Sequence, residues 1–261
     1  MIDLHHGDCL KVMPTLDAGS IDLTVTSPPY DNLRTYNDSL EWGEHVWKPV
    51  LENLYRLTKD GGVVVWIVGD ATIKGSETGT SFRQALYAKE CGFRLHDTMI
   101  YAKNNPTPLT HNRYEQQFEY MFVLSKGRPS TFNPLMQPCK TAGKSYSWKD
   151  TNDHGVKSAK RARDEVSVVK THKRKFNIWH SNVSNSKITN TAPFPEPLAR
   201  DHIISWSNEG DTVFDPFLGS GTTGKMALEQ GRNFIGIEKD AEYYEIAKKR
   251  TESAERKDTT Q

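Results

Sequence analysis

Hydrophobic residues form two kinds of pattern along the chain: short continuous apolar runs and longer stretches with helical spacing. The segments "SIDLTVTS" and "GVVVWIVGD" predict strands, and the continuous second run is typical of a strand buried on both faces of a parallel sheet. Between them, apolar residues from Val46 to Leu57 recur at helical spacing before "KDGG", which predicts a helix with a glycine stop. Pro49 predicts a kink in that helix or marks its first turn.

The segment "TSFRQALYAKECG" predicts a second helix, with Thr80 or Ser81 as its N-cap and Gly92 as its stop. The residues expected along one side of it are Phe82, Ala85, Leu86 and Lys89. Further strands are predicted at "FRLHDTMIYAK" and "FEYMFVLSKG". The resulting order of strand, helix, strand, helix, strand and strand predicts an open α/β sheet.

The C-terminal part of the chain returns to the same alternation. A helix that begins at prolines is predicted at "PEPLARDHIISW". After it, "DTVFDPFLGSGTTGKMALEQG", "NFIGIEKD" and "AEYYEIAKKR" predict a strand, a glycine loop, a helix, a strand and a helix.

Between Gly127 and about Lys175 the chain shows neither period and is rich in Pro, Ser, Thr, Asn and basic residues. Residues 140–190 contain twelve lysines and arginines against four acidic residues, a net charge of +8. Because the whole chain carries +1, the remainder carries −7. We interpret this region as an inserted module that faces an anionic partner, with a solvated loop as the alternative.

Composition limits the class of protein. A hydrophobic content of 36% is ordinary for a packed core, and the longest apolar run, Val63 to Val68, is too short to span a bilayer. The N-terminal residues lack the pattern of a signal peptide, and three widely spaced cysteines suit a reducing compartment. We therefore expect a soluble cytoplasmic protein.

The segment "GSGTTG", Gly219 to Gly224, fits G-x-G-x-x-G between a predicted strand and a predicted helix. Glu238 ends the next predicted strand 19 residues after Gly219. In this arrangement a nucleoside cofactor lies over the helix N-terminus and the acidic residue accepts hydrogen bonds from ribose hydroxyls.

The residues around the loop distinguish among cofactors. Met226 stands where a phosphate-loop enzyme needs a Ser or Thr hydroxyl for magnesium. Asp215, just before the glycines, would repel a pyrophosphate. S-adenosylmethionine has no phosphate, and its amino and sulfonium groups are favourable neighbours for a carboxylate. Asp215 and Glu238 together therefore favour S-adenosylmethionine.

The segment "TSPPYDN" places Ser27, Pro28, Pro29 and Tyr30 directly after a predicted strand. Exocyclic base amines are poor nucleophiles because the nitrogen lone pair is conjugated into the ring. The Ser27 hydroxyl and the Pro28 carbonyl could accept the two amine hydrogens and orient that lone pair, and Tyr30 could stack on a base swung out of its duplex. Alternatively, two prolines suffice as a plain stop after a strand.

Taken together, "TSPPY", "FDPFLGSGTTG" and "FIGIEKD" resemble the amino-type DNA methyltransferases, and the order of these segments is similar to the group called beta. The resemblance implies a Rossmann-like methyltransferase fold with a circularly permuted motif order. It implies a catalytic half at residues 1–126, a basic target-recognition insertion at 127–175 and a cofactor-binding half at 176–261.

The resemblance also assigns expected roles to residues. Glu238 would bind the ribose, Phe194 of "APFPEPL" would touch the cofactor, and Asp8 of "HHGDCL" is similar to an acid near the adenine. The residues expected to hold the methionine end are Asp215, Phe217, Gly219, Gly221, Thr222 and Thr223.

Duplex DNA is the expected partner. We expect Lys173, Arg174 and Lys175 to contact phosphates, and Arg34 either to approach the flipped base or to pack within a loop. A Ser at the first position of "SPPY" is associated in the family mostly with N4 of cytosine and an Asp mostly with N6 of adenine, so cytosine is favoured and adenine stays the alternative. Further partners that the resemblance allows are a second copy of the chain in a homodimer and a cognate restriction endonuclease of the same system.

Other chemistries fit these residues less well. Methylation at C5 of cytosine needs an attacking thiolate, and the one Pro-Cys pair, Pro138 and Cys139, lies in the basic insertion. RNA or protein-amide methylation stays an alternative, although an amide substrate does not require a basic region. The nine histidines are scattered without ligand spacing, so no metal is expected.

Overall fold

The computed structural model describes residues 1–29, 42–106, 112–146, 167–183 and 195–258. Tyr30, Arg34 and Phe194, for which roles are predicted, lie outside these residues. The chain divides into two compact units, one formed by Met1–Asn133 with Asn177–Gln261 and the other by Pro134–Phe176.

The described residues of the two units form fourteen strands and six helices, which alternate through most of the first unit. The strands are β1 Ile2–His6, β2 Ile21–Thr26, β3 Thr58–Val68, β4 Thr72–Ile73, β5 Ser76–Glu77, β6 Arg94–Lys103, β7 Phe118–Ser125, β8 Met136–Pro138, β9 Ser145–Tyr146, β10 Ser167–Val168, β11 His172–Arg174, β12 Ile178–Ser181, β13 Thr212–Asp215 and β14 Asn233–Glu238. The helices are α1 Cys9–Val12, α2 Glu44–Leu57, α3 Thr80–Glu90, α4 Glu196–Trp206, α5 Thr222–Glu229 and α6 Ala241–Asp258. A 3₁₀ turn at Met13–Thr15 follows α1.

The first unit is built on an eight-stranded sheet with the order β1-β14-β13-β2-β3-β7-β6-β12. Strand β7 runs antiparallel to its neighbours β3 and β6, and every other pairing in this sheet is parallel. The predicted α/β class with a mostly parallel sheet is therefore confirmed. Strands β1, β14, β13, β2 and β3 all end at one edge, so residues that follow them are gathered there.

Strand β3 shows why the centre of the sheet is apolar on both faces. Val63, Val65 and Ile67 belong to the core under α4, α5 and α6. Val64, Trp66 and Val68 belong to the opposite core under α2 and α3. Because side chains alternate across a strand, a continuous apolar run supplies both cores at once.

The end of α2 differs from the sequence-based prediction. The helix ends at Leu57, and "KDGG" lies within β3 and is not a glycine stop. The Thr58 hydroxyl donates to the Leu54 carbonyl at 2.6 Å, which satisfies the last turn without a glycine. Pro49 lies inside α2, beyond the first turn. A Cβ on Gly62 would lie 2.7 Å from Thr58 Cγ2, so this glycine permits close packing at the start of the strand.

Helix α3 also corrects the prediction. Its N-cap is Gly79, with φ of 65°, and neither Thr80 nor Ser81. Phe82 and Leu86 are 49% and 59% exposed. The buried residues of this helix are Ser81, Gln84, Ala85 and Ala88.

Polar contacts explain the orientation of α3. The Ser81 amide and hydroxyl both donate to the buried carboxylate of Asp70, which follows β3. The Gln84 amide oxygen accepts from Trp66 Nε1 at 2.9 Å. These groups need partners once they are buried, so the helix turns its polar contacts toward the sheet and leaves two large apolar residues outside.

The second unit contains two short antiparallel ladders, β8 with β11 and β9 with β10. The ammonium group of Lys173 lies 4.1 Å from the centroid of the Phe176 ring. Thus the stretch without periodicity has local order where the structure describes it.

Among the described residues, no helix combines the length and the apolarity that a membrane span requires.

Ser81→Ala should lower the free energy of unfolding by about 1–3 kcal/mol, because it removes a hydrogen bond from a buried carboxylate. Leu86→Ala on the same helix should cost less than about 0.5 kcal/mol, because this side chain is exposed. Urea denaturation followed by circular dichroism measures both. The reverse ranking would support the face of α3 that hydrophobic spacing alone predicts.

Candidate active site

The central feature of the candidate site is the junction of β2 and β13, which lie side by side in parallel. The Thr26 hydroxyl at the end of β2 donates to Asp215 Oδ1 at the end of β13, at 2.7 Å. Ser27 follows Thr26 directly, so it lies one residue beyond this hydrogen bond. The structure therefore brings Ser27 and Asp215 to the ends of neighbouring strands.

The prolines after Ser27 give this strand end a rigid backbone. Pro28 is buried, whereas Ser27 and Pro29 are half-buried. Proline fixes φ and lacks an N–H group, so the Pro28 and Pro29 nitrogens donate no hydrogen bond to their surroundings.

Asp215 is almost completely buried, at 1% exposure. Its Oδ1 accepts from Thr26 and also from the backbone N–H of Phe217 at 3.0 Å. Burial raises the pKa of Asp215 to about 6, against the opposing effect of hydrogen bonds from Thr26 and the Phe217 backbone. The carboxylate thus ties β2 to the first turn of the glycine loop.

The three glycines of "GSGTTG" have different surroundings. Gly219, with φ of 54°, would have its Cβ no closer than 3.9 Å to Phe217 O, so this position faces open space. Gly221, with φ of 83°, would have its Cβ 2.9 Å from Ala247 Cα on α6. A Cβ on Gly224 would lie 2.6 Å from the Phe234 ring. The first glycine therefore leaves room for a ligand, and the other two permit close packing of the helices and the sheet.

Glu238 connects the end of β14 to this loop. One carboxylate oxygen accepts from the Gly219 N–H at 2.7 Å, and the other accepts from the Asp240 N–H at 2.9 Å. Burial is the main cause that raises the pKa of Glu238, and backbone hydrogen bonds oppose it. Each oxygen has a second lone pair, so the carboxylate can still accept from a ligand hydroxyl.

Asp8 reaches the same edge from β1. His6 pairs in register with Glu238, and the Gly7 N–H donates to the Glu238 carbonyl at 2.8 Å. The Asp8 carboxylate accepts from Leu10 N at 3.0 Å as the N-cap of α1 and lies 3.4 Å from Lys239 Nζ. Asp8 therefore follows the end of β1, next to the end of β14 at Glu238.

The helix after the glycine loop begins with Thr222 and Thr223, which are both buried. The Thr223 hydroxyl donates to the Val25 carbonyl at 3.1 Å and so ties α5 to β2. Met226 lies in the apolar core, and Lys225 Nζ donates to the Glu196 carboxylate at 2.8 Å. A phosphate loop would need a hydroxyl at the position of Met226 and a free ammonium at the position of Lys225. The geometry therefore disfavours a nucleoside triphosphate as the ligand.

The sequence patterns did not indicate Trp42, Trp66 or Arg250 as residues of the site. The Phe217 ring lies edge-to-face with Trp42 at 5.6 Å and with Trp66 at 6.4 Å between centroids. Arg250 of α6 donates to the Ser220 carbonyl. Aromatic composition gave no pairing information, and Arg250 is one of several basic residues on its helix.

The remaining predicted site residues are placed as follows. Lys173 and Arg174 lie on β11 of the second unit and Lys175 follows them, and all three are exposed. In the part of the chain that the structure describes, no group of three His, Cys, Asp or Glu could hold a metal ion.

Comparison with known proteins adds independent findings. A family model described as DNA methylase matches residues 21–249. The orphan methyltransferase M.BamHII of Bacillus amyloliquefaciens is 51% identical over 247 residues, covering 88% of each chain. The type II methyltransferase M.SmaI of Serratia marcescens is 27% identical, covering 94% of this chain and 88% of that protein.

Solved structures agree in fold. The M1.HpyAVI complex with SAM has a TM-score of 0.64 at 25% identity and covers 96% of this chain and 99% of its own. The cytosine-N4-specific PvuII DNA methyltransferase has a TM-score of 0.70 at 21% identity, covering 95% of this chain and 86% of its own, and shows a common fold. From the family match over most of its length and the 51% identity to M.BamHII, the chain belongs to the N6/N4 DNA methylase family and is a DNA methyltransferase.

Proposed function

We propose that this chain transfers a methyl group from S-adenosylmethionine to the exocyclic N4 amine of cytosine in duplex DNA. The target base is turned out of the helix, and its amine nitrogen attacks the methyl carbon as the methyl–sulfur bond breaks, which leaves S-adenosylhomocysteine and releases one amine proton to solvent. The observation that carries the proposal is the hydrogen bond between Thr26 and Asp215, because it places Ser27 beside the glycine loop.

The residues around the glycine loop fit S-adenosylmethionine. The carboxylates of Asp8, Asp215 and Glu238 lie at or just beyond strand ends at the same edge, which disfavours a phosphate and favours a ligand with hydroxyl and cationic groups. The solved M1.HpyAVI structure, which has the same fold at 25% identity, is a SAM complex. When bound, S-adenosylmethionine supplies the electrophilic methyl group.

Each cofactor-binding residue has a proposed role. Glu238 accepts from ribose hydroxyls, and Asp8 lies near the adenine. Gly219 leaves open space for the ligand. The residues proposed to hold the methionine end are Asp215, Phe217, Gly219, Gly221, Thr222 and Thr223, and Asp215 also orients this segment through the Phe217 N–H. Phe194 is proposed to touch the cofactor and lies outside the described residues.

The Ser27 segment acts on the acceptor amine. The Ser27 hydroxyl and the Pro28 carbonyl accept hydrogen bonds from the two amine hydrogens. These bonds reduce the conjugation of the nitrogen lone pair with the ring and direct it toward the methyl group. Pro29 keeps the backbone rigid, and Tyr30, outside the described residues, stacks on the flipped base.

Cytosine is proposed on the strength of Ser27 as the first residue of "SPPY". A serine and an aspartate both accept from an amine, so adenine N6 remains the alternative product that an experiment must distinguish. Relatives include proteins described as orphan and as type II methyltransferases, and a companion restriction endonuclease is part of the proposal only by analogy with the type II proteins.

The proposed DNA-binding residues of the second unit are Lys173, Arg174 and Lys175. They are exposed, they lie in the part of the sequence with a net charge of +8, and such residues neutralise phosphates. No role in reading bases is assigned to them.

Incubation of the purified chain with methyl-labelled S-adenosylmethionine and unmethylated duplex DNA should label the DNA. Digestion to nucleosides and chromatography should then show N4-methylcytosine. N6-methyladenine as the labelled product would replace cytosine by adenine in the proposal. Label in RNA or protein but not in DNA would contradict it.

Ser27→Ala should lower kcat by about 100-fold or more, because one acceptor for the amine is lost at the reacting atom. Binding of S-adenosylmethionine should change by less than about 3-fold, since Ser27 acts on the base. The matched control is Ser20→Ala, at the opposite end of β2, where the hydroxyl donates to the Asp17 carbonyl. A kcat of Ser27→Ala equal to that of the control would remove Ser27 from the mechanism.

Replacing Lys173, Arg174 and Lys175 by Ala should weaken DNA binding and reduce the slope of log K against log salt by up to about 3, because each lost phosphate contact removes about 0.9. Fluorescence anisotropy at several salt concentrations measures this slope. As a control, Lys89, Lys248 and Lys249 are exposed residues outside the basic region. Equal slopes for the two triple variants would place the β11 residues outside the interface.

A further inference from the structure

A charged network lies behind the glycine loop. The Arg250 guanidinium donates to the Ser220 carbonyl at 2.6 Å, to the Ser220 hydroxyl at 2.9 Å and to Glu196 Oε1 at 2.8 Å. The Glu196 carboxylate also accepts from Lys225 Nζ, at 2.8 and 2.9 Å. One carboxylate thus connects α4, α5 and α6, and one guanidinium connects them to the loop.

The network is more protected from solvent than an ordinary surface ion pair. The side chains of Arg250, Lys225 and Glu196 are 22%, 26% and 39% exposed. Burial acts to raise the pKa of Glu196, but the hydrogen bonds and charges of Lys225 and Arg250 outweigh it, so the pKa is lowered. The ionised carboxylate is therefore the form that holds the two cations.

Ser220 stands between the two glycines that give the loop its shape. Gly219 faces open space, and Gly221 packs against the backbone of α6 at Ala247. Ser220 itself is buried, at 5% exposure. If Arg250 were removed, the Ser220 carbonyl and hydroxyl would be left buried without these hydrogen bonds. Movement of the loop toward water would then lower the free energy of the chain.

Glu196 extends the network to a second segment. It is the first residue of α4, directly after "APFP" of the segment predicted to reach the cofactor. A change at Arg250 would therefore act on two stretches of chain that lie more than 20 residues apart in sequence.

We propose that Arg250, Glu196 and Lys225 are positioning residues for S-adenosylmethionine. They hold the glycine loop and the start of α4 in the arrangement that binds the cofactor, and they do not act on the base. This inference rests on the proposed function, since it names further residues that serve the same site.

Calorimetric titration with S-adenosylmethionine tests the inference. Arg250→Ala should raise Kd about 10-fold or more, with a parallel rise in KM for S-adenosylmethionine and a kcat at saturation within about 2-fold of the wild type. Arg250→Lys should recover part of the affinity, because an ammonium can replace some of the three bonds. Lys249→Ala, which removes an exposed charge from the neighbouring position of α6, should bind like the wild type.

A double-variant cycle separates a shared network from general loosening. Because Arg250 and Glu196 act through the same bonds, Arg250→Ala combined with Glu196→Gln should weaken binding by less than the product of the two single effects. Should Arg250→Ala fail to fold, Arg250→Lys and Glu196→Gln carry the same measurements. If the effects of the Arg250 and Glu196 variants on Kd multiply, or if the loss is confined to kcat, the inference is overturned.

The two proposals can fail separately. A wild-type chain that binds S-adenosylmethionine, together with an Arg250→Ala variant of equal affinity, would contradict the positioning role alone. A folded wild-type chain with no affinity for S-adenosylmethionine would contradict the proposed function and, with it, this inference.

Discussion

The hydrogen bond between the Thr26 hydroxyl and the Asp215 carboxylate is the contact on which the site depends. It joins residues separated by 189 positions in sequence, and it is buried. On one side the next residue is Ser27, and on the other the same carboxylate oxygen fixes the Phe217 N–H. The residues proposed to act on the base and those proposed to bind the cofactor are therefore oriented by one carboxylate.

This arrangement has an energetic cost. The pKa of Asp215 is raised from its usual value of 3.8 to about 6, so the folded chain binds the proton more tightly than the unfolded chain does. The contribution of this group to stability is therefore fully present below pH 4 and is lost as the pH rises through 6. The loss across this pH range is on the order of 3 kcal/mol. A buried charge kept at such a cost beside an open loop is typical of functional sites.

Much of the fold could be predicted from the sequence, because apolar runs such as Val63 to Val68 have only one way to bury both faces. The positions of the glycine loop and the Ser27 segment could be predicted because each follows a strand with a recognisable pattern, and that of Glu238 because it ends such a strand. Of the residues predicted along one side of α3, Ala85 is buried but Phe82 and Leu86 are exposed, since the helix is oriented by its contacts with Asp70 and Trp66. The spacing of apolar residues predicts which side of a helix is apolar. It does not predict which residues of the helix form hydrogen bonds with polar groups far away in sequence.

The same limit explains why Arg250 was not predicted, and it shows how the permuted chain order is compatible with one site. Arg250 lies 30 residues from Ser220 and 54 from Glu196, so no motif contains the three. Parallel strands end at one edge of the sheet whatever their order along the chain, so a permuted order can still form one site. The contacts between the helices behind that edge are not set by the strand order. A glycine loop is flexible by composition, so its shape must be supplied from outside. In this chain α6 supplies it, through the packing of Gly221 against Ala247 and the bonds from Arg250 to Ser220.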